Sequence, residues 1–554
     1  MTRMSKSGGT ISDPISAQDQ MVKGSAWMTA GSILSRILGA IYIIPWGIWF
    51  GQFFLQGNAL YGKGYNIYSF FLIVAIAGIP SAIAKQVAHY NAMNEYGVGF
   101  RIYKHGFVLA FLTGVICASL LYFGAPLLDG GDARVIPVLH SLAWAVLIIP
   151  TMSLTRGFFQ GYQQMAPSAI SQFVEQLARV AYMLITAFII MRVLHGSWIT
   201  AVSQSTFAAF IGAVAGLLTL VWYYYRNRAT FNTLRANSNN QIVVPAKQLY
   251  QEILQQALPF VVLGAGITIF QLIDQYTFFD IMRGVGVTSQ VILNDMFALF
   301  SVNANKLIMI TVSLASALAI TAVPLLSEAF TKGDLRDVSK QITNAILLFE
   351  FVMIPSALGM AAIAHPLNIL FYGTAHKELA AAVLAFSSFM SIVLGLFTVT
   401  SAIMQGISQN KRAVRYFLIG TVVKLVFQWP CVHYLGIFGP LVATALGFIV
   451  ANALILGWLN QEFGVNYSEI AKKTNGILIF SIGMFIVTTI LVKLFSWGLG
   501  LFMVVDSRGG SVPVVALSVA IGGFLYVYLV LKTRLADTVL GSRTSRLRTM
   551  LHIR

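Results

Sequence analysis

The chain has 554 residues, 57% of them hydrophobic and only 10% charged, with a mean hydropathy of +0.77. Soluble domains carry about 25% charged residues, so a soluble fold is excluded and the solvent must be lipid. The net charge of +17 would suit nucleic acid, but the placement of Lys and Arg accounts for it without such a partner.

A window of about 20 residues predicts an all-α polytopic membrane protein with about fourteen transmembrane helices. In chain order the apolar cores are 26–49, 65–84, 105–128, 137–157, 169–194, 200–225, 256–282, 306–330, 342–366, 380–405, 413–435, 438–460, 473–497 and 512–532. The first ends without a small-residue cleavage site, so it reads as a helix and not a signal peptide. With the N-terminus in the cytoplasm, the inside segments hold 25 Lys and Arg and the outside loops six, including Lys63. That bias is a strong positive-inside signal, with both termini cytoplasmic and a basic tail on the anionic inner leaflet. Cys117 and Cys431 lie in separate apolar runs and suggest neither a disulfide framework nor a thiolate metal site.

Two stretches recur. GIPSAIAKQVA at 78–88 matches AVPLLSEAFTK at 322–332, placing Pro80 on Pro324 at an offset of 244. RGFFQGYQQ at 156–164 matches AIMQGISQ at 402–409, placing Gln160-Gly161 on Gln405-Gly406 at an offset of 245, which also places Arg179 on Lys424. Internal repeats are a signature of transporter folds. Six spans separate equivalents, so the copies share one orientation. The expected organisation is a six-helix lobe at 1–230, a polar cytoplasmic linker at 231–255 with a short amphipathic helix, a second lobe at 256–465, and two additional helices with a basic tail at 466–554. The first and seventh spans show no convincing match.

Five cations fall inside spans. Lys306 and Lys493 are expected near outer helix ends, free to reach the headgroups. Arg36, Arg179 and Lys424 each fall about eleven residues into an inside-to-outside helix. Each costs roughly 2.5–3.5 kcal/mol at that depth, so three together suggest a shared internal cavity. Helical spacing places Ser32, Ser35, Arg36 and Gly39 on one face, and Ser168, Gln172, Glu175, Gln176 and Arg179 on another. Gln271, Asp274 and Gln275 form a third polar stripe on the seventh span, whose Pro259, Gly264 and Gly266 allow bending.

Each reading has a plainer rival. Glu175 and Arg179, four apart, can neutralise each other. Asp274 can pair with Arg36 as structural glue. Lys424 has no acid within a turn on its own helix, which favours a functional role. Gln-Gly turns are more often tight helix ends than ligands, and the two prolines end or kink helices. Glu350 is either a proton or cation site or a hydrogen-bonded structural acid. The eight histidines have no metal-ligand company, and no phosphate loop or nucleophile elbow is present, so no metal, cofactor or covalent catalysis is expected.

On SRILG with its embedded Arg36, the twin Pro and Gln-Gly motifs, and QLIDQYTF at 271–278, the chain resembles the polysaccharide and lipid-linked oligosaccharide exporters of the MOP superfamily. Within them it is most similar to the YtgP/MurJ-type lipid II flippases of Gram-positive bacteria, over essentially the whole chain. The resemblance implies two six-helix lobes around a cavity that opens to each side in turn, in the bacterial cytoplasmic membrane. It implies a lipid-linked anionic glycan as substrate, membrane lipids as surroundings and the cell-wall synthesis machinery as partner. Arg36 matches the family's cavity arginine, and helices thirteen and fourteen would form an apolar groove for a polyprenyl tail. Arg179, Lys424, Ser35 and Gln172 are expected on the substrate, with Glu175, Asp274 and Glu350 in coupling or charge pairing. The alternatives are a flippase for a teichoic-acid or capsule precursor, or a multidrug/cation antiporter of the same superfamily. A membrane enzyme would usually need a large external loop, and a scaffold would not need buried cations. Oligomeric state and energy source stay open.

Overall fold

The computed structural model describes residues 38–39, 41–76, 78–239, 259, 261–540, 544 and 548. Among them there is no strand. Eleven stretches are long and apolar enough to cross a membrane, and two of these, Ile43–Ala92 and Asn410–Phe463, each hold more than one crossing. The second folds back on itself at Gly436, whose φ of 55° suits a residue without a Cβ. With the 19-residue helix Gly266–Gly284, the predicted spans are all represented, the first only by its described part. The amphipathic segment expected in the linker lies outside the described residues.

The second and eighth spans depart most from expectation. Helix Phe54–Ile76 starts well before residue 65, and a helical run from Gln290 to Ile320, π-helical over Ala298–Ala304, starts well before 306. The early parts carry Asn58, Lys63, Asn294 and Asn303, which lower local hydropathy. All four are buried against protein, so a lipid-transfer scale reads them as loop. Lys63 is therefore a helix residue, only 4% exposed, and not a loop residue. Each span then breaks, and a short helix follows, Ile79–Ala92 in one copy and Val323–Lys332 in the other. Pro80 and Pro324 both occupy the second position of their helix, where a missing N–H costs no intrahelical bond.

The Gln-Gly motifs close helices Val135–Gly161 and Lys377–Gly406. In the first copy the Gln163 amide donates to the Gln160 carbonyl and the Gln164 amide to Phe159, at 2.8 and 2.9 Å. In the second the Ser408 amide donates to Gln405 and the Gln409 amide to Met404, at 3.0 and 2.8 Å. Gln163 and Ser408 share a left-handed φ of 59° and 58°. These are helix ends, as the plainer reading held.

Helices up to residue 236 pack as one set. Met165–Phe188 lies along Trp198–Arg226, and Tyr96–Phe123 along Val135–Gly161. Helices from Gly266 to Phe463 form a second set, with Asn410–Leu435 along Gly439–Phe463 in the corresponding place. The sets meet at the end bearing Phe54. There one hydrophobic core joins Phe54 and Leu60 to Phe278, Phe297 and Tyr372. Toward the end bearing the Gln163 and Ser408 turns, the second set has its own core around Phe270, Phe417 and Phe448. The bundle is therefore closed at the Phe54 end, and the two post-proline helices each pack against their own set.

Helices Tyr467–Gly500 and Arg508–Lys532 pack on Leu335–Ala362 and on each other. Tyr526 Oη donates to the Phe351 carbonyl at 3.0 Å. Gly522 is a close helix contact: a Cβ there would lie 2.3 Å from Thr488 Oγ1, and Ser518 is fully buried. A Cβ on Gly523 would meet nothing within 4 Å. Overpacking a tight contact typically costs about 1–3 kcal/mol. Gly522→Trp is expected to lower the thermal unfolding midpoint of the detergent-solubilised protein, while Gly523→Trp leaves it unchanged. Equal midpoints for the two variants would refute this packing.

Candidate functional site

A cavity of about 400 Å³ lies between the two sets. Tyr42, Tyr61, Tyr65, Gln176 and Arg179 line it from the first, and Ser301, Asn305, Lys306 and Tyr372 from the second. Gly39 of the first span also lines it. Arg36 and Ser35 lie outside the described residues.

Arg179 comes from helix Met165–Phe188. Its guanidinium is 3.6 Å from Glu175, one turn earlier, so the local pair forms. Glu175 is nevertheless shared, because Arg156 reaches it at 2.8 Å from helix Val135–Gly161. Arg156 is further held by the Ser171 hydroxyl, whose own proton goes to the Gly216 carbonyl at 2.9 Å. Two guanidiniums on one carboxylate leave an excess positive charge beside the cavity. Arg156 was not singled out from sequence, since its place near a helix end counts it among the inside flanking cations. Gln172 is half-buried, and Gln176, one turn further, is the glutamine that reaches the cavity wall.

Lys306 does not sit at a helix end. It lies midway along the run from Gln290 to Ile320 and enters the cavity. Its Nζ donates to Tyr42 Oη at 3.1 Å and to Asn58 Oδ1 at 3.3 Å, and lies 4.9 Å from the Tyr61 ring centre.

Lys424 is fully buried and is not on the cavity wall. Its Nζ donates to Asp274 Oδ1 and Thr444 Oγ1, both at 2.7 Å, and is 3.5 Å from the Pro440 carbonyl. Gln428 donates to the same Asp274 oxygen at 2.9 Å. Asp274 thus has Lys424 as its partner among the described residues, while its alternative pairing with Arg36 lies outside them. The repeat relates Arg179 to Lys424 in position but not in exposure. Position 175 carries a glutamate, whereas its counterpart is Gly420, where a Cβ would lie 2.4 Å from the Gly447 carbonyl. The second copy closes helix on helix and takes its acid from another helix. Glu350 accepts a hydrogen bond from Thr474, which ties the ninth span to the thirteenth, away from the cavity.

The Phe54 end is closed by a polar network. Asn58 Nδ2 donates to Asn303 Oδ1, a pair separated by the repeat offset of 245. Lys63 donates to Asn294 at 2.9 Å, Asn66 to Gln275 at 3.1 Å, and Gln275 to the Lys63 carbonyl at 3.2 Å. Lys63 also pairs at 2.9 Å with Asp132, in the loop before helix Val135–Gly161. Burial works to raise the Asp132 carboxyl, but the hydrogen bonds and charges of Arg134 and Lys63 outweigh it and hold it at about 2.

Breaking a buried pair by removing one partner costs about 3–5 kcal/mol, because a charge is left uncompensated. Lys424→Ala is therefore expected to destabilise strongly, and Lys424→Met with Asp274→Leu to lose less. Thermal midpoints in detergent check this, and equal losses would show that the two do not act as a pair. The depressed Asp132 carboxyl stabilises fully above its unfolded value of about 3.9, and that stability is lost as pH falls through its folded value. The midpoint difference between wild type and Asp132→Asn should hold from pH 8 to pH 5 and shrink only toward pH 2; a collapse near neutral pH would contradict it.

Residues 21–330 match the family described as polysaccharide biosynthesis protein, and residues 301–429 match MatE. The chain is 35% identical over 538 residues to the lipid II flippase MurJ of Bacillus subtilis strain 168, covering 95% of this chain and 97% of that protein. It is 24% identical over 451 residues to the stage V sporulation protein B of the same organism, covering 79% and 83%. A solved structure of a lipid II flippase MurJ in an inward closed conformation superposes with a TM-score of 0.62 at 13% identity, over 91% of this chain and 97% of that one. An outward-facing MATE multidrug transporter of the MOP superfamily gives 0.60 at 15% identity, over 80% and 96%. The last two likenesses concern the fold alone.

Proposed function

The chain belongs to the polysaccharide biosynthesis family of the MOP superfamily, alongside the lipid II flippase of Bacillus subtilis, and from that premise we propose that it moves lipid II from the inner to the outer leaflet of the bacterial cytoplasmic membrane for peptidoglycan synthesis. The observation that carries this reading is the excess cation of the Arg156–Glu175–Arg179 group beside a cavity between the two helix sets. A guanidinium in a water-poor site gains its strongest partner in a phosphate oxygen, which it can grip in bidentate fashion. A lipid-linked pyrophosphate supplies such oxygens. The positive-inside bias puts both termini in the cytoplasm, so the closed Phe54 end faces out and the cavity is reached from within.

Alternating access then requires the lobes at 1–230 and 256–465 to part at the Phe54 end and meet at the other, with the linker at 231–255 accommodating the swing. The two C-terminal helices are left for the polyprenyl tail, with Gly523 rather than Gly522 on the open face. No bond is made or broken, and the chain acts as a transporter, not an enzyme. Arg36 stays in this proposal on spacing alone, since Gly39 of its predicted face lines the cavity. A basic cavity argues against a cation antiporter. Another polyprenyl-linked glycan carries the same phosphates, so the test is genetic.

The wild-type chain is expected to sustain growth of a strain depleted of its lipid II flippase. Arg179→Ala should lose that rescue at normal membrane abundance, with flux down about tenfold or more, while Arg179→Lys keeps part of it. Arg36→Ala should behave like Arg179→Ala. A wild-type chain that accumulates in the membrane without rescuing would exclude lipid II as its substrate.

A further inference from the structure

Helix Arg508–Lys532 packs along Ala364–Tyr372 and Leu335–Ala362, so it belongs with the second helix set. The turn that starts it nevertheless touches both sets. Asp506 pairs with Lys377, the first residue of helix Lys377–Gly406 in the second set. Two residues on, Arg508 Nη1 donates to the Ile44 carbonyl of the first span at 2.6 Å. The half-buried guanidinium runs through a slot between two glycines, one from each set. A Cβ on Gly47 would lie 3.0 Å from Nη2, and one on Gly373 would lie 3.5 Å from it. A second arginine serves the same helix. Arg192 Nη2 donates to the Ile48 carbonyl at 2.7 Å, one turn beyond Ile44. Both cations sit toward the C-terminal end of helix Ile43–Phe50, where the negative end of the helix dipole favours them. They differ in origin. Arg192 follows helix Met165–Phe188, so its bond stays within the first set, whereas the bond of Arg508 crosses between sets.

We propose that Arg508 latches the closure at the Phe54 end, which makes the fourteenth helix part of the outer gate. The inference rests on the alternating-access reading above and adds a residue, outside both repeated lobes, that sets the ratio of closed to open forms. When the sets part at this end, the Asp506–Lys377 pair lies within the second set and moves as one piece. The Arg508–Ile44 bond spans the parting surfaces and must break. A charge-assisted hydrogen bond outside bulk water is worth more than a neutral one. Because it exists only in the closed form, it weights the equilibrium toward that form. The slot explains the two glycines: a side chain on Gly47 would crowd both Phe54 and the guanidinium. The latch also lies close to the transport path. Arg508 enters a pocket of about 350 Å³ on the outer face, and Tyr372 lines both that pocket and the central cavity. One side chain therefore separates the latched seam from the space that has to open.

The test uses the full chain in nanodiscs with Cys117 and Cys431 replaced by serine. Spin labels at Leu127→Cys and Tyr434→Cys, one on each helix set at the outer end and 89% and 77% exposed, report parting of the sets by electron–electron distance. No substrate is added. The otherwise unchanged chain is expected to populate mainly the shorter distance. Arg508→Gln should raise the ratio of longer to shorter distances roughly tenfold or more. Arg508→Lys keeps a charged donor and should lie nearer the unchanged chain. Arg192→Gln loses a bond of the same chemistry to the same helix, but one within a single set, and should leave the distribution as it was. An unshifted distribution in Arg508→Gln, or equal shifts in Arg508→Gln and Arg192→Gln, would overturn the latch. Because the measurement needs no substrate, either result leaves the lipid II reading to the rescue experiment, and a failed rescue leaves the latch to the distances.

Discussion

Everything in this bundle turns on carrying more positive charge in a hydrocarbon slab than its own acids neutralise. A lone cation at that depth costs several kcal/mol, so each must face protein or a water-filled space. Most of the cost is met by pairing: Lys424 with Asp274, Lys63 with Asp132. The remainder is deliberate in its geometry. Glu175 serves two guanidiniums, and Lys306 is given none of the acids described. Both surpluses border one cavity between two helix sets, so the site that costs stability is also the site that can attract an anion.

The helices were legible because lipid imposes a simple rule on them. Apolar runs, the Lys and Arg bias and the two recurring motifs gave the spans and the duplication, and the turns at Gln163 and Ser408 match down to their hydrogen bonds. The same rule misled where helices face protein. The polar stretches around Asn58 and Asn294 lowered local hydropathy, so two spans were begun too late. That error placed Lys63 in a loop and Lys306 at a helix end.

The site was legible only in part, for a related reason. Depth and the repeat singled out Arg179, and spacing on one helix found Glu175. Spacing could not find Arg156, whose bond to Glu175 spans two helices, nor the partner of Lys424, which is 150 residues away. Local rules see neighbours one turn apart; the ion pairs that decide which charge is spent and which is free are tertiary. The repeat also overstated symmetry: Glu175 has become Gly420 in the other copy, where close helix contact replaces a charge.

Asn58 and Asn303 illustrate a different consequence of duplication. At the offset of the Gln-Gly motifs they are equivalent positions, and their contact puts them where an axis relating the copies would pass, so that each residue there would face its own image. Such a site accepts only side chains that complement themselves. A carboxamide qualifies, with a donor and an acceptor on one head. A lysine or an aspartate copied into both halves would confront its own charge, and a leucine would forgo the bond. The axis therefore restricts residue choice before any substrate does, and a change in one copy is felt first by its twin.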